Sequence, residues 1–177
     1  MPLIHNKLKQ IKAFVFDVDG VLSDGRVILH PDGDQIRTMS VKDGYALKKA
    51  MQHGYLVAII SGGNSPGVLK RLEYLGVPEI HLGIKTKITV FNEMLLRHNL
   101  KPEEVLYMGD DIPDITVLVK AGGAACPANA VNEVKEVSQY ISPKNGGEEC
   151  VRDVIEQTLK LKKLWFSVQD FKKNNLN

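Results

Sequence analysis

Residues 12–22, KAFVFDVDGVL, constrain this chain more than any other stretch. The apolar, β-prone run Ala13-Phe14-Val15-Phe16 stops abruptly at two carboxylates and a glycine, which reads as a buried strand delivering acid groups to a sheet edge. Side chains alternate along a strand, so Asp17 and Asp19 start on the same side and can converge on one point. Two carboxylates this close repel, and each disfavours ionisation of the other unless a cation sits between them. A divalent metal is the first expectation.

The same design recurs along the chain. A second buried strand over 55–60 stops at Ser61-Gly62-Gly63-Asn64-Ser65-Pro66, where Ser65 can cap and Pro66 can start a helix carrying Val68, Leu69, Leu72 and Leu75, closed by Gly76. A third strand over 79–82 leads through Gly83-Ile84-Lys85-Thr86-Lys87 into a helix whose Ile88, Phe91, Met94 and Leu95 share a face. The fourth, 105–108, ends in Gly109-Asp110-Asp111-Ile112-Pro113-Asp114 before a helix with Ile115, Leu118 and Val119. Weaker strands over 123–126 and 139–141 flank a short helix over 131–137, and 149–163 predicts a final amphipathic helix.

Between the first two strands, segments 26–30 and 35–41 joined by Pro31-Asp32-Gly33-Asp34 predict a projecting β-hairpin. Asp43 is placed to cap a helix with Ala46, Leu47, Ala50 and Met51 on one face, and Gly54 to end it. Alternating strands and helices without internal repeat predict an α/β fold, a doubly wound, mostly parallel sheet with helices on both faces. Ligands bind beyond the carboxyl ends of such strands. Asp17/Asp19, Ser61, Lys87 and Asp110/Asp111 all follow predicted strands, so fold logic gathers them on one rim.

With 177 residues, 44% hydrophobic and 25% charged, the chain suits one domain over 1–177. The net charge of +2, without a basic block interleaved with aromatics, argues against nucleic acid and anionic membranes and for a small-molecule partner. Cys126 and Cys150 lack CxxC spacing and read as buried free thiols. Residues 1–10 are polar and the longest apolar run, 56–60, is too short to span a bilayer, so a cytoplasmic location is expected. The five histidines show no metal-ligand spacing.

Several carboxylates, a hydroxyl and an ammonium on one rim suit a hard cation and a phosphate. Phosphoryl transfer needs those parts and few others. In this reading Asp17 attacks phosphorus in line, Ser61 and Lys87 balance charge on the equatorial oxygens, and Asp19 carries the proton. Asp110 completes the metal shell, while Asp111 and Asp114 orient the metal's waters and Lys87. A phospho-accepting signalling module uses similar parts but places its acidic pair first and its accepting aspartate on a later strand, the reverse of the order here. A catalytically idle binding protein would have little use for every polar part of the mechanism.

The succession DVDGV, a serine after a strand, a lysine, then GDDxxD resembles the haloacid dehalogenase superfamily of phosphatases across essentially the whole core. The resemblance implies Asp17 as nucleophile, Asp19 as acid/base, Ser61 and Lys87 as phosphate binders, and Mg²⁺ on Asp17, the Asp19 backbone carbonyl and Asp110. Asp24-Gly25, the hairpin, Val41-Lys42-Asp43-Gly44-Tyr45, Gly83 ahead of Lys87, and Gly146-Gly147 with Val151-Arg152 resemble one branch, the phosphatases acting on 3-deoxy-D-manno-octulosonate 8-phosphate in lipopolysaccharide sugar synthesis. That branch lacks a cap domain and forms a homotetramer whose hairpins and tails close neighbouring sites, a role the resemblance extends to hairpin 24–41 and tail 165–177. It also implies Ser40, Lys42, Asp43, Gly44, Lys48 and Arg71 as substrate-binding positions. The chain departs from the branch at Lys42, Lys48 and Gly63, where arginine is common, and at Ser61, where threonine is usual. Lysine and glycine lack the guanidinium fork that reads a carboxylate. A nonulosonate 9-phosphate or another small sugar phosphate is therefore the alternative substrate.

Overall fold

Ala13–Phe16 (β1) is fully buried, with Phe14 and Phe16 pointing to one face of a sheet and Ala13 and Val15 to the other. A strand apolar on both faces belongs at the centre of a covered sheet, and that is where it lies. In the computed structural model, which describes residues 2–168, β1 pairs in parallel with Leu56–Ile60 (β4) on one side and Val105–Met108 (β6) on the other. Glu79–His81 (β5), Gly123–Cys126 (β7) and Tyr140–Ile141 (β8) complete a six-stranded sheet in the order β5-β4-β1-β6-β7-β8, every pair parallel. The winding reverses at β1, so the crevice beyond its carboxyl end is the topological switch point where such sheets bind ligands.

Helices Pro2–Gln10 (α1), Val41–Gln52 (α2), Pro66–Leu75 (α3) and Cys150–Leu161 (α7) cover the face carrying Phe14 and Phe16. Lys87–Arg97 (α4), Ile115–Leu118 (α5) and Asn132–Val137 (α6) cover the other. Ser65 caps α3, Pro66 opens it and Gly76 closes it in the left-handed region at φ 80°, as the sequence predicts. Both cysteines are buried and free. Among the described residues no helix is long and apolar enough to cross a membrane.

Several boundaries differ from the sequence reading. The polar N-terminal segment forms α1, which docks through the buried Leu8. The hairpin strands are only Ile28–Leu29 (β2) and Gln35–Ile36 (β3), and Val41 already begins α2. Ser40, not Asp43, caps α2 by accepting the Lys42 N–H at 3.2 Å, because Asp43 lies one turn inside the helix and faces α7. Leu69 and Val119 are exposed, so the buried faces are Val68, Leu72 and Leu75 in α3 and Val117 with Leu118 in α5. Of the tail, Trp165 packs edge-on against Tyr45, while 169–177 lie outside the described residues.

Candidate active site

The site is built from the first residues beyond β1, β4 and β6 and the first residue of α4. After Phe16 the backbone leaves the sheet in one wide turn, closed by Ser23 N–H donating to the Val18 carbonyl at 2.9 Å. Gly20 sits in that turn at φ 81°, and a Cβ there would lie 1.9 Å from an Asp110 carboxylate oxygen. Only glycine lets the loop after β1 pass that close to the acid after β6. The Gly146-Gly147 segment braces the same turn, Gly147 N–H donating to the Val21 carbonyl at 2.9 Å.

Lys87 is the hub. Its buried Nζ donates to Asp17 Oδ2 and to Asp114 Oδ1, each at 2.7 Å. Asp114 is saturated: Oδ1 also accepts from the buried Tyr107 hydroxyl, and Oδ2 accepts the backbone N–H of Asp110 at 3.1 Å and of Asp111 at 3.3 Å. Asp114 therefore holds Lys87 and folds the loop after β6, and has no lone pair to spare for another ligand. Asp111 is exposed and accepts the Ile112 N–H at 2.8 Å, capping the turn Ile112–Asp114. Ser61 is buried with its hydroxyl accepting the Gly63 N–H at 3.2 Å. Asp17, Asp19, Ser61, Lys87, Asp110, Asp111 and Asp114 converge on one open cavity of about 400 Å³. Lys85 lines the cavity too, but it is Lys87 that reaches Asp17.

The electrostatics of this cavity call for positive charge. Burial, then the Asp114 charge, raise the Asp17 carboxyl to about 6 against the pull of Lys87. Burial and the neighbouring Asp17, Asp114 and Asp111 charges raise Asp110 to about 7. Burial works against the Lys87 charge, and the two carboxylates, Asp17 foremost, overcome it and raise its pKa. Oxygens of Asp17, Asp110 and Asp114 come within 4.8 Å of one another. With Asp114 saturated, Asp17 and Asp110 are the acids left to receive a hard cation, which removes their mutual repulsion. The residues fit a divalent metal.

Asp19 carries the feature that sequence reasoning missed. Arg37, at the foot of the hairpin, donates from Nε to Asp19 Oδ1 at 2.6 Å and from Nη2 to Oδ2 at 2.9 Å. Nothing in the local sequence marks Arg37, which lies in a stretch alternating polar and apolar residues. Tyr107 was also overlooked, since inside an apolar strand it reads as core.

The six positions that family resemblance offers for substrate binding lie outside this cavity. Ser40 is the α2 cap, Lys42 pairs with Glu149 at 2.6 Å, and Asp43 is 1% exposed, accepting the Arg152 N–H at 2.7 Å. Gly44 lies against the Arg71 guanidinium, and Lys48 sits 4.9 Å from the centre of the Tyr74 ring. Arg71 opens onto a second cleft of about 270 Å³ beside the hairpin.

Sequence and structure comparisons agree with this geometry. A haloacid dehalogenase-like hydrolase family matches residues 79–155. The 3-deoxy-D-manno-octulosonate 8-phosphate phosphatase KdsC of Salmonella typhimurium is 32% identical over 158 residues, covering 89% of this chain and 84% of that protein. The chain belongs to the KdsC family of haloacid dehalogenase-like phosphatases. Among solved members of the family, the 3-deoxy-D-manno-octulosonate 8-phosphate phosphatase of Moraxella catarrhalis, crystallised with magnesium ion, phosphate ion and KDO, superposes with a TM-score of 0.88 at 36% identity, covering 91% of this chain and 92% of that one. The cobalt-bound enzyme of Haemophilus influenzae superposes with a TM-score of 0.89 at 29% identity, covering 93% and 98%. This family member is accordingly a phosphatase.

Proposed function

We propose that the chain is a Mg²⁺-dependent phosphomonoesterase that hydrolyses 3-deoxy-D-manno-octulosonate 8-phosphate through an aspartyl-phosphate on Asp17. The observation that carries the chemistry is the buried Lys87 shared between Asp17 and the saturated Asp114. That pairing holds one Asp17 oxygen in place at the cavity floor and puts a fixed cation beside it. Asp17 attacks phosphorus as the bond to the sugar oxygen breaks, and Asp19 gives that oxygen its proton. Water then attacks the aspartyl-phosphate, Asp19 takes its proton, and inorganic phosphate leaves as the bond to Asp17 breaks. Lys87 and the Ser61 hydroxyl bind the phosphoryl oxygens throughout. Asp17, Asp110 and the Asp19 backbone carbonyl would hold Mg²⁺, which supplies charge neutralisation at those oxygens.

The substrate rests on the family relationship and on the KDO in the Moraxella catarrhalis relative. Of the resemblance-derived positions, Arg71, which faces a cleft, is retained as a substrate contact, whereas we read the buried Asp43 and Gly44 as packing residues of α2. Assembly belongs to the same reading. The hairpin exposes Ile28 at 61% and Leu29 at 75%, and the catalytic cavity is open, so a homotetramer whose hairpins and C-terminal tails cover neighbouring sites would close both. We place the reaction in the cytoplasm.

Phosphate release from a panel of octulosonate 8-phosphate, nonulosonate 9-phosphates and hexose phosphates with Mg²⁺ tests the assignment. The octulosonate ester should lead by a wide margin. A hexose phosphate in the lead would refute the substrate, and release from none, or full activity in Asp17→Asn, would refute the mechanism.

A further inference from the structure

Helix α7 begins without a cap of its own. Glu149, the residue ahead of it, sits in the left-handed region at φ 77°, and its side chain makes no capping hydrogen bond. An L side chain rarely adopts that conformation, so neighbouring structure must hold it. Helix α2 does so with two consecutive residues. Lys42 Nζ donates to Glu149 Oε1 at 2.6 Å, and Asp43 Oδ1 accepts the Arg152 N–H at 2.7 Å. Arg152 is the third residue of α7, and its N–H is a group that an N-cap side chain ordinarily takes. Asp43 thus caps the start of a helix 109 residues away in the chain, from a position that is 1% exposed and shielded from competing water.

What this cap fixes is the segment that braces the turn after β1. Gly147 N–H and the Cys150 thiol both donate to the Val21 carbonyl, at 2.9 and 3.2 Å. Gly146 lies so close that a Cβ on it would stand 1.8 Å from the Gly20 carbonyl oxygen. The turn spans Val18–Leu22, with Asp19 and Gly20 off helical geometry, and Gly20 in its turn lies against the Asp110 carboxylate. So short and irregular a turn has little of its own to hold it, and its distance from Asp110 depends on what presses on it from outside. A contiguous chain of contacts therefore runs from Asp43 through the start of α7 to the backbone beside Asp19.

We propose that Asp43 is a positioning residue for the phosphatase reaction: by capping α7 it holds the turn 18–22 against Asp110, and with it the Asp19 carboxylate and backbone carbonyl. The inference rests on the phosphatase reading and deepens it. It also divides the site in two. Ser61 and Lys87 stand on the loop after β4 and on α4, outside the braced turn, so phosphate binding is independent of Asp43. Proton transfer by Asp19 and the hold of its carbonyl on Mg²⁺ are not.

Asp43→Ala should lower kcat for the best ester of the panel by about ten- to a hundredfold, the span for a small misplacement at a reacting centre, with KM little changed. Calorimetric titration of Mg²⁺ onto the same variant should show affinity weakened by about tenfold or more. Asp43→Asn keeps an oxygen acceptor for the Arg152 N–H and should restore both. Leu159→Ala opens a cavity near the other end of α7; it should lower the melting temperature yet leave kcat and Mg²⁺ affinity as in wild type. Wild-type kcat and Mg²⁺ affinity in Asp43→Ala would overturn the proposal. So would an Asp43→Asn variant as impaired as Asp43→Ala, which would deny the cap, or a Leu159→Ala variant with the same losses, which would reduce them to general loosening of α7. Wild-type protein that hydrolyses no ester would overturn the phosphatase reading instead, and the Mg²⁺ titrations would still decide whether Asp43 positions the turn.

Discussion

The cavity floor and the hairpin above it are built on opposite principles. On the floor, Lys87, Asp17, Asp114 and Tyr107 form one buried network in which each polar group is satisfied by another and the backbone of the loop after β6 is tied in. The hairpin is two strands of two residues each, exposed on every side, joined to the site through Arg37. A dense, desolvated network holds atoms to the tolerance that phosphoryl transfer demands. A sparse, exposed one moves at low cost and can vary without unfolding the sheet. The acids and Lys87 are thus fixed where the packing is tight, and the hairpin is left free to vary where it is thin.

If that contrast holds, disturbing the floor should cost orders of magnitude and disturbing the hairpin should not. Asp17→Asn should lower kcat by about 10⁴-fold or more while leaving the melting temperature close to wild type, as measured by steady-state kinetics and calorimetry. Asp114→Ala should cost stability as well as activity. It strands the buried Lys87 charge and the Tyr107 hydroxyl, so chemical denaturation should show a loss of about 3–5 kcal/mol.

Removing divalent metal with a chelator should abolish activity and lower the melting temperature. Restoring Mg²⁺ to 100 times its dissociation constant should recover about 2.7 kcal/mol of stability. An unchanged melting temperature would mean that Asp17 and Asp110 do not share a cation.

Asp43 gives a smaller effect of opposite sign. It is buried between α2 and α7, one of its oxygens has no hydrogen-bond partner, and burial raises its carboxyl to about 6 despite the Arg152 N–H. A carboxyl whose folded pKa lies above its unfolded value stabilises the fold while protonated and loses that contribution as pH rises from about 4 to about 6. Asp43→Asn should therefore gain about 1–3 kcal/mol at pH 7 and flatten the stability profile across that window, read by denaturation at a series of pH values. Leu29→Asp on the exposed hairpin should change stability by no more than about 0.5 kcal/mol. Light scattering should nonetheless show a smaller assembly, and an unchanged tetramer would remove the hairpin from the interface.

Much of the floor was legible in sequence because it obeys local rules. A strand that ends in acids, a strand followed at once by a serine and a helix that starts with lysine are each visible within about ten residues, and doubly wound topology does the rest. Asp43 misled for the same reason. An acid near a helix start reads as a cap, and its burial against Arg152 depends on a helix more than a hundred residues away in sequence. Val119 and Leu69 fit the helical period, but period does not tell which edge of an apolar stripe the sheet will cover.

From sequence alone came the parallel sheet, the rim on which the acids gather and the demand for a cation, because alternation, capping and like-charge repulsion act between neighbours in the chain. Tertiary structure alone decided that Asp114 is saturated, that Tyr107 supports it from within the core and that Arg37 closes on Asp19 across 18 residues. Those facts depend on which groups meet after the chain has folded, and a polar group's role follows from the partners left to it once water is excluded.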